Sequence, residues 1–391
     1  MATTIGIGVM VASFRASVAD WLGQLLRADY YVSAEGTGAG DAPLRPALVE
    51  RLRAQPGIAW VSHVRRARLP GVACGSEGAG EVRGLPPAPT KTGADVAVPG
   101  SGHGSADCAA ADLQIAAYDL PPPALAGFRL SGVAEPAAFW KAFLAGDAVM
   151  VSEPWAWHHR TAVGATLVLR TDAGPRAFPV GAIYQDYASD RGIVAVSRAA
   201  WERYWDDDGI TGIGLYTGAG FDLARLRREL AGLADGATLE LTANADLRAA
   251  SLAVFDRTFT ITEVLRLLAG AIAFTGVLGA LLAIELERGR ELAVLRALGM
   301  RADEIRRIIL TGTGLLGAIA GLLAIPAGLA MAASLVYVVN RRSFGWSMQL
   351  HAEPAILAGG LALALVAALT AGLYPAARMA RIPPAAALRS E

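Results

Sequence analysis

Three long runs without a charged side chain dominate the second half of the sequence and limit how it can fold. Leu267 to Ile284, Ile308 to Val339 and Ala355 to Ala377 are uncharged. Each is long enough, at about 1.5 Å per residue, to cross a hydrocarbon core of roughly 30 Å as a helix. Between the first two lies Glu287-Arg-Gly-Arg-Glu291-Leu-Ala-Val-Leu-Arg296-Ala-Leu-Gly299-Met-Arg301, a charged and helix-forming stretch. It holds Arg288, Arg290, Arg296 and Arg301, with Arg306 and Arg307 just beyond. A short loop that rich in arginine is retained in the cytoplasm.

The tail after the third run, with Arg378, Arg381 and Arg389, is also basic. Counting crossings back from it puts Asn340 to Glu353 outside, the arginine loop inside, and everything before Leu267 outside. Met1 to Phe14 is apolar but reaches only about 21 Å as a helix, short of the bilayer core. It has no positive residue before Arg15, unlike a secretory signal. We read it as the outer part of a spanning helix whose inner part is missing, in a natural protein longer than this chain. A short tilted or cleaved helix is the alternative.

The basic and acidic side chains balance, 35 against 35, which argues against a nucleic-acid partner. Charged residues at 18% are too many for a pure helical bundle and, beside the apolar runs, too few for a soluble enzyme. The polar stretch from Arg15 to Asp256 is of domain size. Strands are predicted at Asp29–Ser33, Ile58–Val64, Ala148–Ser152, Thr166–Arg170, Ala177–Ile183 and Ile193–Val196. Helices are predicted around Ala199–Tyr204 and Phe221–Leu233, the latter with Asp222 as a cap. A helix beginning at Ala245 runs through Phe255 and Phe259 into the first long apolar run. Thr92 to Asp107, rich in Gly, Pro and Ala, reads as a long loop.

Catalytic signatures are weak. A P-loop needs a Gly-rich turn before its lysine, and neither Lys91 nor Lys141 has one. Neighbouring His158 and His159 have no converging Cys or carboxylate cluster in sequence, which leaves them without a metal reading. Asp206-Asp207-Asp208 lacks the spaced ligands of a calcium loop and reads as an exposed turn. Gly-x-Ser-x-Gly does not occur. No catalytic residue, metal or cofactor is assigned. Cys74 and Cys108 are the only cysteines, both in the outer segment. In an oxidising compartment they can close a disulfide; two unpaired residues in a loop is the alternative.

Arg290-Glu291-Leu-Ala-Val-Leu-Arg296-Ala-Leu-Gly299 resembles the loop signature of FtsX-like, or MacB-type, ABC-transporter permeases. Tyr374-Pro375-Ala-Ala-Arg378-Met-Ala-Arg381-Ile-Pro383 resembles the end of that family's last helix and tail. The outer segment, with Gly164-Ala-Thr-Leu-Val-Leu169 and Val180-Gly181-Ala-Ile-Tyr184, is similar to the family's periplasmic core domain, with less specificity. The resemblance implies one spanning helix, a large outer domain and three more helices, here as the C-terminal half of a duplicated member. The expected fold is an α-helical transmembrane bundle plus an α+β extracytoplasmic domain. Its expected segments are a partial span at 1–14, the outer domain at 15–256, spans at 257–286, 308–339 and 355–377, a cytoplasmic coupling loop at 287–307, an outer loop at 340–354 and a tail at 378–391.

The resemblance further implies that Glu291 to Gly299 is a coupling helix docking on a separate ABC ATPase subunit. Leu292, Leu295 and Leu298 then form an apolar ridge, Arg290, Glu291 and Arg296 pair across the interface, and Gly299 ends the helix. An amphipathic helix lying on the inner leaflet is the bland alternative. Gly312, Gly314, Gly317 and Gly321 permit close helix approach, and Pro326 is expected to kink the same run. Helix packing is the main reading; a homodimer or pseudo-dimer with a second permease half extends it. Membrane lipid is the other expected partner, and the cell (inner) membrane the expected location. Two functions follow: export or extraction of a lipidic, lipoprotein or peptide-like substrate, or non-transporting transmission of a signal to an outer hydrolase or sensor.

Overall fold

The computed structural model describes residues 1–34, 44–70, 112–233, 239–288, 291, 294–295 and 298–381. The chain divides into two units: Met1–Ala19 with Ser251–Ser343 and Met348–Glu391, and Asp20–Ala250 with Phe344–Ser347.

Among the described residues, four helices lying mostly in the first unit are long and apolar enough to cross a membrane, with candidate spans at Ala2–Leu25, Asn244–Ile284, Asp303–Phe344 and Pro354–Leu373. The first, α1 (Ala2–Leu25), continues well beyond the expected Phe14. Arg15 does not stop it because Asp256 receives its Nε at 2.7 Å and its Nη2 at 3.1 Å. Beside that ion pair in sequence, the Phe14 ring meets Phe255 and Phe259, themselves stacked, edge-on at 5.1 and 5.4 Å. Helix α8 (Asn244–Glu287) is 44 residues long, about 66 Å, so it exceeds a bilayer core roughly twofold. The third span is carried by Ala302–Ser334, a π-helical stretch Leu335–Val339 and a last turn Asn340–Phe344; the fourth by Pro354–Arg381.

The second unit is built on a ten-stranded sheet. Its strands are β1 (Tyr30–Ala34), β2 (Ile58–Pro70), β3 (Asp112–Asp119), β4 (Leu130–Ser131), β5 (Val149–Ser152), β6 (Thr166–Thr171), β7 (Gly174–Tyr184), β8 (Val194–Ser197), β9 (Gly212–Thr217) and β10 (Leu239–Ala243). The order is β10-β1-β9-β2-β3-β8-β5-β7-β4, with β6 hairpinned on β7. Only β3–β8 and β5–β7 are parallel among the described pairs. A mixed sheet with helices on it requires apolar residues on strand faces, and β5 and β8 are buried at every position. Leu48, Val49 and Leu52 of α2 (Pro46–Arg53) and Leu226 and Leu230 of α7 (Leu223–Leu233) cover Val32, Val61, Ile213 and Leu215. Asp222 caps α7, its Oδ1 accepting from the N–H groups of Ala224 and Arg225.

Both chain ends of this unit meet at one place. Tyr30, the first residue of β1, pairs with Ala243, the last of β10. Asn244, which opens α8, donates from Nδ2 to the carbonyls of Leu26 and Ala28 at 2.8 and 2.7 Å.

Candidate functional site

The described residues at both ends of the loop between the second and third spans are held by hydrogen bonds. Helix α8 closes with the Arg288 N–H on the Ile284 carbonyl. The next span opens at Arg301, whose N–H reaches Glu304 Oε2 at 2.9 Å, and Asp303 and Glu304 place negative charge at the helix N-terminus. Between them, Met300 N–H bonds the Leu295 carbonyl and Gly299 takes φ +101°, a left-handed turn that glycine adopts without strain.

Leu295 and Leu298 do not share a face here. Leu295 turns inward onto Met300, Ile305 and Ile309, and props the loop against the next helix. Leu298 is 80% exposed, Val294 is 45% exposed, and Glu291 is exposed beside them. Among the described residues of the loop, the exposed large apolar side chains are Val294 and Leu298. Arg290, Leu292 and Arg296 lie outside the described residues, as do Cys74 and Cys108.

The glycines of the third span lie against the fourth. A Cβ on Gly317 would overlap the Ala368 methyl, and one on Gly321 would come within 2.6 Å of Leu361 Cδ1. Gly314 approaches Leu369 at 3.6 Å, while Gly312 has open space. The face bearing Gly317 and Gly321 is thus occupied within this chain. The helix runs through Pro326, which sits exposed on it.

A second feature was not legible in sequence. Phe344–Ser347, between the third and fourth spans, belongs to the outer unit. Every polar group of Ser347 is held there: its N–H and Oγ donate to Glu153, at 3.0 Å to Oε2 and 2.6 Å to Oε1, and its carbonyl accepts from Tyr187 Oη at 2.5 Å and Gln185 Nε2 at 3.1 Å. Gly345, at φ +76°, packs its backbone on Pro154 and Trp157 of α5 (Glu153–His158), and Trp346 lies between Phe344 and Tyr187. No short-range pattern marks such a strap. Its neighbour Asp186 is buried, which pushes its carboxyl up to about 6, partly opposed by the Ala188 N–H on Oδ1.

His158 and His159 close α5 rather than sitting in a strand; the His159 ring stacks on Trp155 at 3.7 Å, and burial lowers its pKa. Among the described residues no cluster of His, Cys, Asp and Glu is arranged for a metal. Asp207 instead receives Arg65 Nε at 2.7 Å.

Residues 264–384 match the family model described as FtsX-like permease C-terminal. Over 99% of its length the chain is 35% identical to the uncharacterized ABC transporter permease protein Rv0987 of Mycobacterium tuberculosis, of which it spans 42%. Over 30% of the chain it is 34% identical to the pyoverdine export ATP-binding/permease protein PvdT of Pseudomonas syringae pv. syringae, covering 16% of that protein. Among solved structures, the periplasmic region of MacB from Actinobacillus actinomycetemcomitans aligns with 57% of this chain and 92% of its own, at TM-score 0.37 and 10% identity. The extracellular domain of the transporter YknZ aligns at TM-score 0.33 and 8% identity, over 54% of this chain and 98% of its own. Residues 264–384 thus carry an FtsX-like permease C-terminal domain, in a chain similar over nearly its whole length to part of an ABC transporter permease.

Proposed function

We propose that the chain is the membrane subunit of an ABC transporter in which a separate ATPase, docked on the loop 287–307, drives movement of the outer unit. The reading is carried by the exposed Val294–Leu298 surface, 80% open at Leu298, on a loop bounded by Gly299 and anchored inward through Leu295. An exposed leucine beside a turn is suited to insertion into a partner's pocket. Three covalent routes lead from the spans into the outer unit: α1, α8 and the Phe344–Ser347 strap. The substrate is a lipidic, lipoprotein or peptide-like molecule, moved by export or extraction across the inner membrane. PvdT, similar over 30% of this chain, is by name a pyoverdine export ATP-binding/permease protein; neither lysine of this chain has a P-loop around it.

Purified chain is expected to hydrolyse no ATP until a partner ATPase is added. Turnover by the chain alone, surviving removal of trace contaminants, overturns the assignment.

A further inference from the structure

Within the second unit, β2 is open along part of one edge because its neighbour ends early. It pairs with β9 from Ile58 to Val64, but with β3 only from His63, opposite Asp119, onward. Continued by two residues, that register would set Val61 against Pro121. Pro121, Pro122 and Pro123 follow Leu120 directly. Proline has no N–H for a ladder, and the chain turns there, the Pro121 carbonyl accepting from the Ala124 N–H.

The backbone of Val61 is left facing the gap. Hydrogen-bonding directions alternate from residue to residue along a strand. The Val64 carbonyl accepts from Thr211, just before β9, and Leu215, opposite Val61, turns its own carbonyl the other way, to the Asp29 N–H. The N–H and C=O of Val61 therefore point away from β9, although the residue is only 6% exposed. Among the described residues no strand lies across them. Buried backbone groups are as a rule paired, so this donor and acceptor suit a ligand that brings both.

A groove of about 390 Å³ fills the gap, with Ile58 to Val61 on one side, Asp119 and Pro121 on the other, and Arg53 also lining it. Its two charged side chains neutralise each other, Arg53 Nη2 lying 2.7 Å from Asp119 Oδ2. What remains for a ligand is the backbone of Val61 and apolar surface, chiefly Trp60, 49% exposed, and the exposed Ala59.

We infer that this groove binds an extended, uncharged peptide, which adds to β2 through the N–H and C=O of Val61 and lays apolar side chains on Trp60. Residues flanking the one paired with Val61 put their side chains on the face of Trp60, because the side-chain period of a strand is two. The inference narrows the substrate classes proposed above to the peptide-like one and rests on the chain acting as a transport subunit.

The test uses the full chain in detergent, without ATPase or nucleotide, and a dye-labelled, end-blocked peptide of three Val-Thr repeats. Fluorescence anisotropy should show saturable binding with a Kd no weaker than about 1 mM. Trp60→Ala, which removes the platform, and Ala59→Leu, which narrows the groove, should each weaken binding by about fivefold or more. Both positions are exposed, and poor folding of one variant leaves the other to decide. Two further peptides carry N-methyl groups on all valines or on all threonines. A strand turns only every other N–H to one neighbour, so one of these should lose binding by about tenfold and the other keep it. No saturable binding, or equal effects of the two methylation patterns, overturns the proposal; unchanged binding in both protein variants overturns its place in the groove. Failure here leaves the ATPase-driven reading standing, whereas ATP turnover by the chain alone removes that reading and leaves peptide binding as measured.

Discussion

Glu153 and Ser347, 194 positions apart, are joined by a carboxylate that accepts both the N–H and the hydroxyl of the serine. Hydrogen bonds to an ionised acceptor are the stronger kind, each contributing about 1.5–3 kcal/mol to local structure when well formed. The strap is therefore a fixed part of the outer unit and not a passive connector between spans.

Glu153→Ala is expected to release the strap while the sheet stays folded. Amide exchange at Trp346 and Ser347 should accelerate by about tenfold or more, as loss of roughly 1.4 kcal/mol requires. Glu153→Gln, which keeps an acceptor oxygen without the charge, should fall between. Unchanged exchange in both variants would mean that the strap is held by its aromatic contacts alone.

Leu298→Asp should abolish co-purification with the partner ATPase without lowering the thermal stability of the chain, because Leu298 is 80% exposed. Leu295→Asp should reduce both, since it puts a carboxylate against Ile305 and Ile309. Retained association in Leu298→Asp would place the docking surface elsewhere.

Gly317→Val is expected to lower stability in detergent by about 1–3 kcal/mol, the usual cost of overpacking a filled contact. Gly312→Ala, on the same helix with open space at its Cβ, should be neutral or slightly stabilising. Equal melting temperatures for both would show that the third and fourth spans separate freely at Gly317.

Asp186 gives a pH dependence with a definite sign. Its carboxyl is raised from 3.8 to about 6 in the folded chain. The fold thus binds the proton more tightly than the unfolded chain, and stability falls as pH rises between those values. Asp186→Asn should stabilise the outer unit at pH 7.5 by up to about 3 kcal/mol, with the advantage gone near pH 4. Urea unfolding at the two pH values decides; a benefit independent of pH would mean that the carboxyl does not titrate in this range.

The long spans were legible because an uncharged run of that length has few other uses. The lower part of α1 was not, since Arg15 reads as a helix-ending charge until Asp256 is brought beside it from 241 residues away. Strands β1, β2, β5, β6, β7 and β8 are legible in the sequence, whereas β3, β4, β9 and β10 are not, and β9 shows why. Its Gly-Ile-Gly pattern carries little strand signal, and the glycine is required by a close approach: a Cβ on Gly214 would stand 2.5 Å from Ser62 Oγ. In the loop, helical spacing grouped Leu295 with Leu298, and only the turn at Gly299 and the return of Ile305 separate an inward leucine from an outward one. The strap was invisible because Gly345, Trp346 and Ser347 are held by partners about 160 to 190 residues away in sequence.

The pairing of Tyr30 with Ala243 has a consequence for how force enters the outer unit. Strands β1 and β10 are antiparallel, and each joins its helix at the same end of the ladder. If α1 and α8 move apart, the load falls on one rung at a time, beginning at that end, which is the weak direction for a pair of strands. If they move together, no rung is strained and the sheet travels as one body. Asn244, bonded to the carbonyls of Leu26 and Ala28, is a latch across the mouth of this zipper. The joint thus resists splaying at its first rung.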